Sequence, residues 1–218
     1  VTAGPGLVSS LLVGTMFAKT LAWRFNKPIV GVNHIEGHIL SNWLKPVGEN
    51  FNFKFSIFKP KIFPAMCLVV SGGHTQLILM ENFGKYETVG ETLDDAAGEA
   101  FDKIARILGL GYPGGPAISA EAEKAGKPAI ATTTKYLPIK LPRPMINSKN
   151  FDFSFAGLKT AVLYLDRDLK KKLGKNKLSK NLISQIAAEA QQAIVDVLVS
   201  KTVKATQKYK AKSIMLSG

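Results

Sequence analysis

Two apolar runs in this chain end the same way. Cys67-Leu68-Val69-Val70 leads into Ser71-Gly72-Gly73, and Ser213-Ile214-Met215-Leu216 leads into Ser217-Gly218. Each reads as a strand delivering a Ser-Gly turn, and the first is a clear core strand. Strands of this kind alternate here with helical stretches, which points to an α/β class. If the echo is an internal repeat, the second phosphate-type turn is interrupted at Gly218.

Periodicity and punctuation predict the elements between them. Gly4-Pro5-Gly6 opens a helix to about Phe25, stopped by Asn26-Lys27-Pro28. A β-branched strand over Pro28–Val32 runs into a second helix ending near Leu44. Residues 45–64, rich in Pro, Asn, Lys and Phe, read as an irregular or hairpin-like excursion and a longer connection than usual. Met66–Val70, Thr75–Met80 and Tyr86–Gly90 read as strands. A helix over about Asp94–Leu108 ends in the loop Gly109–Pro116, and a short helix reaches Ala125. Residues 127–150 show no periodicity. Helices at 156–172 and 179–208 and a strand over Lys212–Leu216 complete the chain.

The formal charge is +13, from 29 basic and 16 acidic residues. Phosphates attract such an excess over a long range, and a Lys-biased soluble surface produces the same number. The densest basic run, Lys170, Lys171, Lys172, Lys175, Lys177 and Lys180, is the local candidate for phosphate contact or a solvated loop. Cys67 is the single cysteine. It excludes an intrachain disulfide, fits a reducing compartment, and reads as a buried small hydrophobe. Leu7–Trp23 is broken by Ser9, Ser10, Thr15, Lys19 and Thr20, so no membrane span is expected there. A signal peptide is not apparent, and a cytoplasmic protein is the expectation.

Four segments can carry chemistry. His34 and His38 stand four residues apart, about 400° on a helix, so both imidazoles leave one face and form a half-site for zinc or iron. A polar pair on a surface helix has the same spacing. Ser71-Gly72-Gly73-His74-Thr75 can cradle an anion with backbone N–H groups, or simply close a hairpin. Asp95, Glu99 and Asp102 fall at i, i+4, i+7. Such a stripe binds a cation or ribose hydroxyls, or is a solvated face partnered by Lys103 and Arg106. Gly111-Tyr112-Pro113-Gly114-Gly115-Pro116 suits a flat ligand or a plain turn. In Phe153-Ser154-Phe155-Ala156-Gly157-Leu158-Lys159-Thr160 the aromatics read as core, and Ser154 as a helix cap.

Taken together, these segments place the chain close to one family. Asn33–His38, Val70–Leu77, Asp94–Lys103, Tyr112–Pro116 and Phe153–Thr160 closely resemble, in order, the bacterial TsaD family of tRNA threonylcarbamoyladenosine transferases, formerly called glycoproteases. The resemblance implies an actin-like (ASKHA) fold of two lobes around a nucleotide cleft. Residues 1–60 would be the remaining part of the N-terminal lobe, and 65–218 most of the C-terminal lobe. It implies transfer of a threonylcarbamoyl group from threonylcarbamoyl-AMP to the exocyclic amine of an adenosine beside the tRNA anticodon. It also implies one divalent metal ion, iron or zinc, held partly by His34 and His38 and polarising the carbamoyl group. Val69, Val70, Ser71, Gly72 and Gly73 would contact donor phosphate and carbamoyl groups. Asp102 would bind the adenylate ribose, and Gly115 would pack near the nucleotide, AMP- or ATP-type. Implied partners are tRNA, a TsaB-like paralogue and a TsaE-like P-loop ATPase. An earlier phosphate-binding strand, the aspartate completing the metal site and an asparagine after the second Ser-Gly-Gly have no match here. The expectation is therefore a chain lacking both ends of the family's sequence. Val69 stands where archaeal relatives carry a metal-reaching tyrosine.

Two other classes remain open. A metallopeptidase would need Glu directly after the first histidine as general base. Ile35 is there, and Glu36 turns to the other side. A non-catalytic actin-like scaffold is the other alternative.

Overall fold

A computed structural model describes residues 1–44, 62–125 and 139–218. The expected excursion over 45–64 and irregular stretch over 127–150 lie outside these residues except at 62–64 and 139–150. A small parallel pair, β1 (Thr2–Gly4) and β2 (Val32–Asn33), is joined by α1 (Val8–Arg24). The second expected strand is thus later and shorter than Pro28–Val32. Then come α2 (His34–Leu40) and a 3-10 turn, Ser41–Trp43. The main sheet has the order β5 (Lys85–Glu91), β4 (Thr75–Asn82), β3 (Ala65–Val70), β6 (Ser213–Ser217). β3 is antiparallel to β4 and parallel to β6.

β3 explains its own apolar sequence. Alternate side chains leave opposite faces of a strand. Met66 and Leu68 join the larger core, with α3 (Ala97–Ile107), α4 (Gly114–Lys124), α5 (Ala156–Leu173) and α6 (Lys180–Lys208). Ala65, Cys67 and Val69 enter a second core with Ile35 and Ile39 of α2. The strand is buried on both faces, so no polar position survives in it.

β6 lies beside β3 in parallel, with Val69 opposite Ser217. The two Ser-Gly ends therefore leave the same edge of the sheet, as an internal repeat would have them. Among the described residues one helix, α6, is long and apolar enough to cross a membrane. Eleven of its residues, Lys201 and Thr202 included, are buried in the core, which accounts for its apolar character.

Candidate functional site

Asn33 starts the histidine helix. Its Oδ1 accepts hydrogen bonds from the backbone N–H groups of Ile35 (2.9 Å) and Glu36 (3.2 Å), an N-cap the spacing of the histidines alone does not reveal. One face of α2 then presents Ile35 and Ile39 to the sheet, both buried. Each such side chain contributes about 1.5–3 kcal/mol of burial, enough to fix the rotation of a seven-residue helix that could not hold itself. The histidines are left on another face. Their Nε2 atoms stand 3.0 Å apart and the rings meet edge to face, with centroids 4.5 Å apart. Two ring nitrogens converging in this way fit a shared cation as a half-site, and among the described residues no third His, Cys, Asp or Glu completes a metal cluster.

Glu36 faces away from the pair. It lies beside the Tyr86 hydroxyl on β5, where burial first and the carboxylate second push the phenol up to about 12. Glu36 is therefore beside Tyr86 rather than in the position directly after the first histidine that a metal-site general base takes.

The turn after β3 closes a hairpin: Val70 is opposite Thr75, the Ser71 N–H donates to the His74 carbonyl (2.8 Å), and the His74 N–H donates to Ser71 Oγ (3.1 Å). Gly72 and Gly73 are exposed, and their N–H groups have no acceptor among the described residues. A Cβ on either would meet nothing within 4 Å. Hairpin closure therefore does not demand both glycines, whereas close approach of a ligand to bare backbone would use them.

The N-terminus of α3 is tied to this turn. Ala97 N–H donates to the buried Thr75 Oγ1 (2.8 Å) and Gly98 N–H to the Ser71 carbonyl (3.2 Å). A Cβ at Gly98 would lie 2.7 Å from Gly72 Cα and from the Ser71 oxygen. Gly98 is thus the glycine that packing requires here, and the positive end of α3 sits beside the cradle.

Three expectations need correction. The helix expected from Asp94 begins at Ala97 because the Thr75 side chain takes its first N–H. Asp95 is consequently off the helix, and no three-residue acidic stripe exists. Asp95 and Glu99 are both neutralised by Lys103, at 2.5 and 2.9 Å, and Lys159 approaches Asp95 at 3.8 Å. Ser154 does not cap α5. Asp94 accepts bonds from Ser154 Oγ (2.5 Å) and from the N–H groups of Phe155 (2.7 Å) and Ala156 (3.2 Å). Gly114 and Gly115 are not in a loop but form the first turn of α4, with Gly114 N–H donating to Asp102 Oδ1 at 2.6 Å. Gly114 is the tight position, its Cβ direction blocked by the Asp102 backbone, while Gly115 faces open space.

Asp102 follows Gly98 by four residues, so it lies one helical turn, about 6 Å, farther along the same face of α3. Its Oδ2 has no hydrogen bond among the described residues. The cradle and a free carboxylate oxygen are thus arrayed along one helix face. Of the basic run, Lys170 is held by Asp166 (2.7 Å), and Lys171, Lys172, Lys175, Lys177 and Lys180 are exposed around the end of α5.

The fold brings His74, the third histidine, to the histidine pair. Its ring centroid lies 6.5 Å from that of His34. Burial first, then His34 and His38, hold it below the ordinary histidine value. All three histidines of the chain therefore share one corner between α2 and the cradle.

The family model described as "TsaD: tRNA N6-adenosine threonylcarbamoyltransferase" matches residues 1–218. Proteins named tRNA N6-adenosine threonylcarbamoyltransferase are similar along the whole chain. That of Syntrophomonas wolfei is 48% identical over 218 residues and that of Dictyoglomus turgidum 48% over 219, with 56% and 57% of their own lengths covered. That of Thermomicrobium roseum is 45% identical over 232 residues, with 59% covered. The chain spans a little over half the length of the curated relatives it matches.

Proposed function

From the premise that this chain belongs to the TsaD family, whose fold is actin-like, we propose that the whole protein containing it is a tRNA-modifying transferase. It moves a threonylcarbamoyl group from threonylcarbamoyl-AMP to the exocyclic amine of the adenosine beside the anticodon. The observation that carries this proposal is the convergence of His34 and His38, 3.0 Å apart at Nε2, with the glycine turn that brings His74 alongside. Residues 1–60 and 65–218 are assigned to the two lobes.

His34 and His38 would hold one divalent ion, iron or zinc. Such an ion supplies Lewis-acid polarisation of the donor's carbonyl oxygen. The chain's own groups do the rest. The N–H groups of Gly72 and Gly73, with Val69, Val70 and Ser71 setting the turn, receive the donor's anionic oxygens, helped by the α3 dipole. Asp102 Oδ2, one helical turn along, accepts from the ribose hydroxyls. Gly115 leaves open space over the first turn of α4 against which the nucleotide packs. The exposed lysines after α5 attract the tRNA backbone, and the site is completed in the cytoplasm with a TsaB-like paralogue and a TsaE-like ATPase.

The test is tRNA nucleoside analysis after incubation of the whole protein with threonylcarbamoyl-AMP and its partners. His34→Ala/His38→Ala should abolish both metal retention and transfer. Wild-type transfer by the double variant would remove the pair from the mechanism.

A further inference from the structure

The reach of a shared ion decides what the third histidine does. With metal–nitrogen bonds of about 2.0–2.1 Å, an imidazole centroid lies roughly 3.2 Å from its ion. Two rings on one tetrahedral ion are then about 5 Å apart, and even opposed rings do not exceed about 6.4 Å. The His34–His38 separation of 4.5 Å is near the tetrahedral value, and the His34–His74 separation of 6.5 Å exceeds the opposed-ring limit. His74 therefore lies past direct reach of an ion held by the pair, and among the described residues it forms no three-residue metal cluster with them.

Its placement is firm. The backbone of His74 closes the Ser71 turn with two hydrogen bonds, and the next residue, Thr75, is fully buried and begins β4. The imidazole is half-buried and has no hydrogen-bond partner among the described residues. A half-buried ring nitrogen that is not met by the protein is available to a ligand.

We infer that His74 is a positioning residue that hydrogen-bonds an anionic oxygen ligand of a metal ion held by His34 and His38. It thereby joins the metal half-site to the glycine cradle as one continuous site. A neutral imidazole has one N–H donor, and a carboxylate or hydroxide on the ion offers the acceptor. This inference rests on the metal-site reading above.

Cobalt(II) substitution separates the two. The whole protein is loaded with Co(II), its visible absorption recorded, and acetate titrated as the oxygen ligand. His34→Ala should lose Co(II) binding. His74→Ala should keep Co(II) affinity and the unligated spectrum, but bind acetate about tenfold more weakly, the scale of one hydrogen bond to a charged group. His74→Gln, which restores a donor, should recover most of that loss. Loss of Co(II) by His74→Ala to the extent seen in His34→Ala would make His74 a direct ligand and overturn the inference. So would unchanged acetate affinity in His74→Ala, or a Gln variant no better than Ala. If the wild type binds no Co(II), the metal-site reading fails, and the inference goes with it.

Discussion

Gly98→Ala sets two effects of opposite sign against each other. Alanine in place of glycine within a helix is worth about 0.5–1 kcal/mol of stabilisation, and less at the second residue of α3. The added Cβ would lie 2.7 Å from Gly72 Cα, 2.7 Å from the Ser71 oxygen and 3.0 Å from Gly72 N. Carbon atoms rest at about 3.5–4.0 Å, so roughly 1 Å of separation must be found. Everything it meets is backbone, and that backbone is tied to α3 by the Gly98–Ser71 and Ala97–Thr75 hydrogen bonds. Forcing such a contact costs about 1–3 kcal/mol, with about 1 kcal/mol more for any hydrogen bond stretched beyond use. The net expectation is a loss of about 1–3 kcal/mol. In urea unfolding, a slope of about 2–3 kcal/mol/M turns this into a midpoint roughly 0.5–1 M lower. Gly73→Ala is the control, since a Cβ there meets nothing; its midpoint should stay put while binding of AMP to the whole protein weakens. A Gly98→Ala chain as stable as the parent, or more so, would refute the close approach of α3 to the cradle.

Three further outcomes follow from the same packing. Asp94→Ala should cost about 1–2 kcal/mol in thermal unfolding by removing the cap of α5. Burial acts to raise the Asp94 carboxyl, but its bonds from Ser154, Phe155 and Ala156 outweigh it and hold the group below 3.8. This contribution is therefore present above pH 3.8 and lost as the pH falls further, so the parent and the Ala variant should converge in acid. Burial pushes the Cys67 thiol from 9.0 to about 12, and burial with Glu36 pushes the Tyr86 phenol from 10.0 to about 12. Stability from both is complete below pH 9 and is lost as the pH rises toward 12. Melting temperatures across that interval should fall less steeply for Tyr86→Phe, and native Cys67 should resist a thiol reagent at pH 8; labelling at the rate of free cysteine would contradict the burial. Finally, tRNA affinity of the whole protein should fall with added salt, and replacing Lys171, Lys172 and Lys175 by Gln should flatten that slope; an unchanged slope would move the contact elsewhere.

What the sequence reveals depends on how local the cause is. α6 is predicted to within a residue at its start because Ser179 caps it directly, with Leu182 N–H donating to Ser179 Oγ. β3 and β4 are legible because burial writes itself as an apolar run. Two of the misreadings have distant causes. α3 starts at Ala97 because a threonine on another strand takes its first N–H, and α5 is capped by Asp94, sixty residues earlier than Ser154. The acidic stripe fails for that reason: spacing counts residues along one helix, and Asp95 was never on it. His34 and His38 announce themselves by separation alone, whereas His74 joins them only through the fold.

That joining has a single structural cause in β3. Ala65, Cys67 and Val69 point to one face and hold Ile35 and Ile39, which sets the rotation of α2 and so the direction of both imidazoles. Met66 and Leu68 point to the other face and hold the helical layer to which α3 belongs. The same strand then ends in Ser71, whose carbonyl receives α3 and whose hydroxyl receives the His74 backbone. The half-site, the cradle and the carboxylate of Asp102 are consequently positioned from one six-residue strand. A strand in this position cannot exchange a core residue for a polar one without tilting either the histidine helix or the cradle. The constraint that makes β3 wholly apolar is therefore the one that keeps the three histidines together.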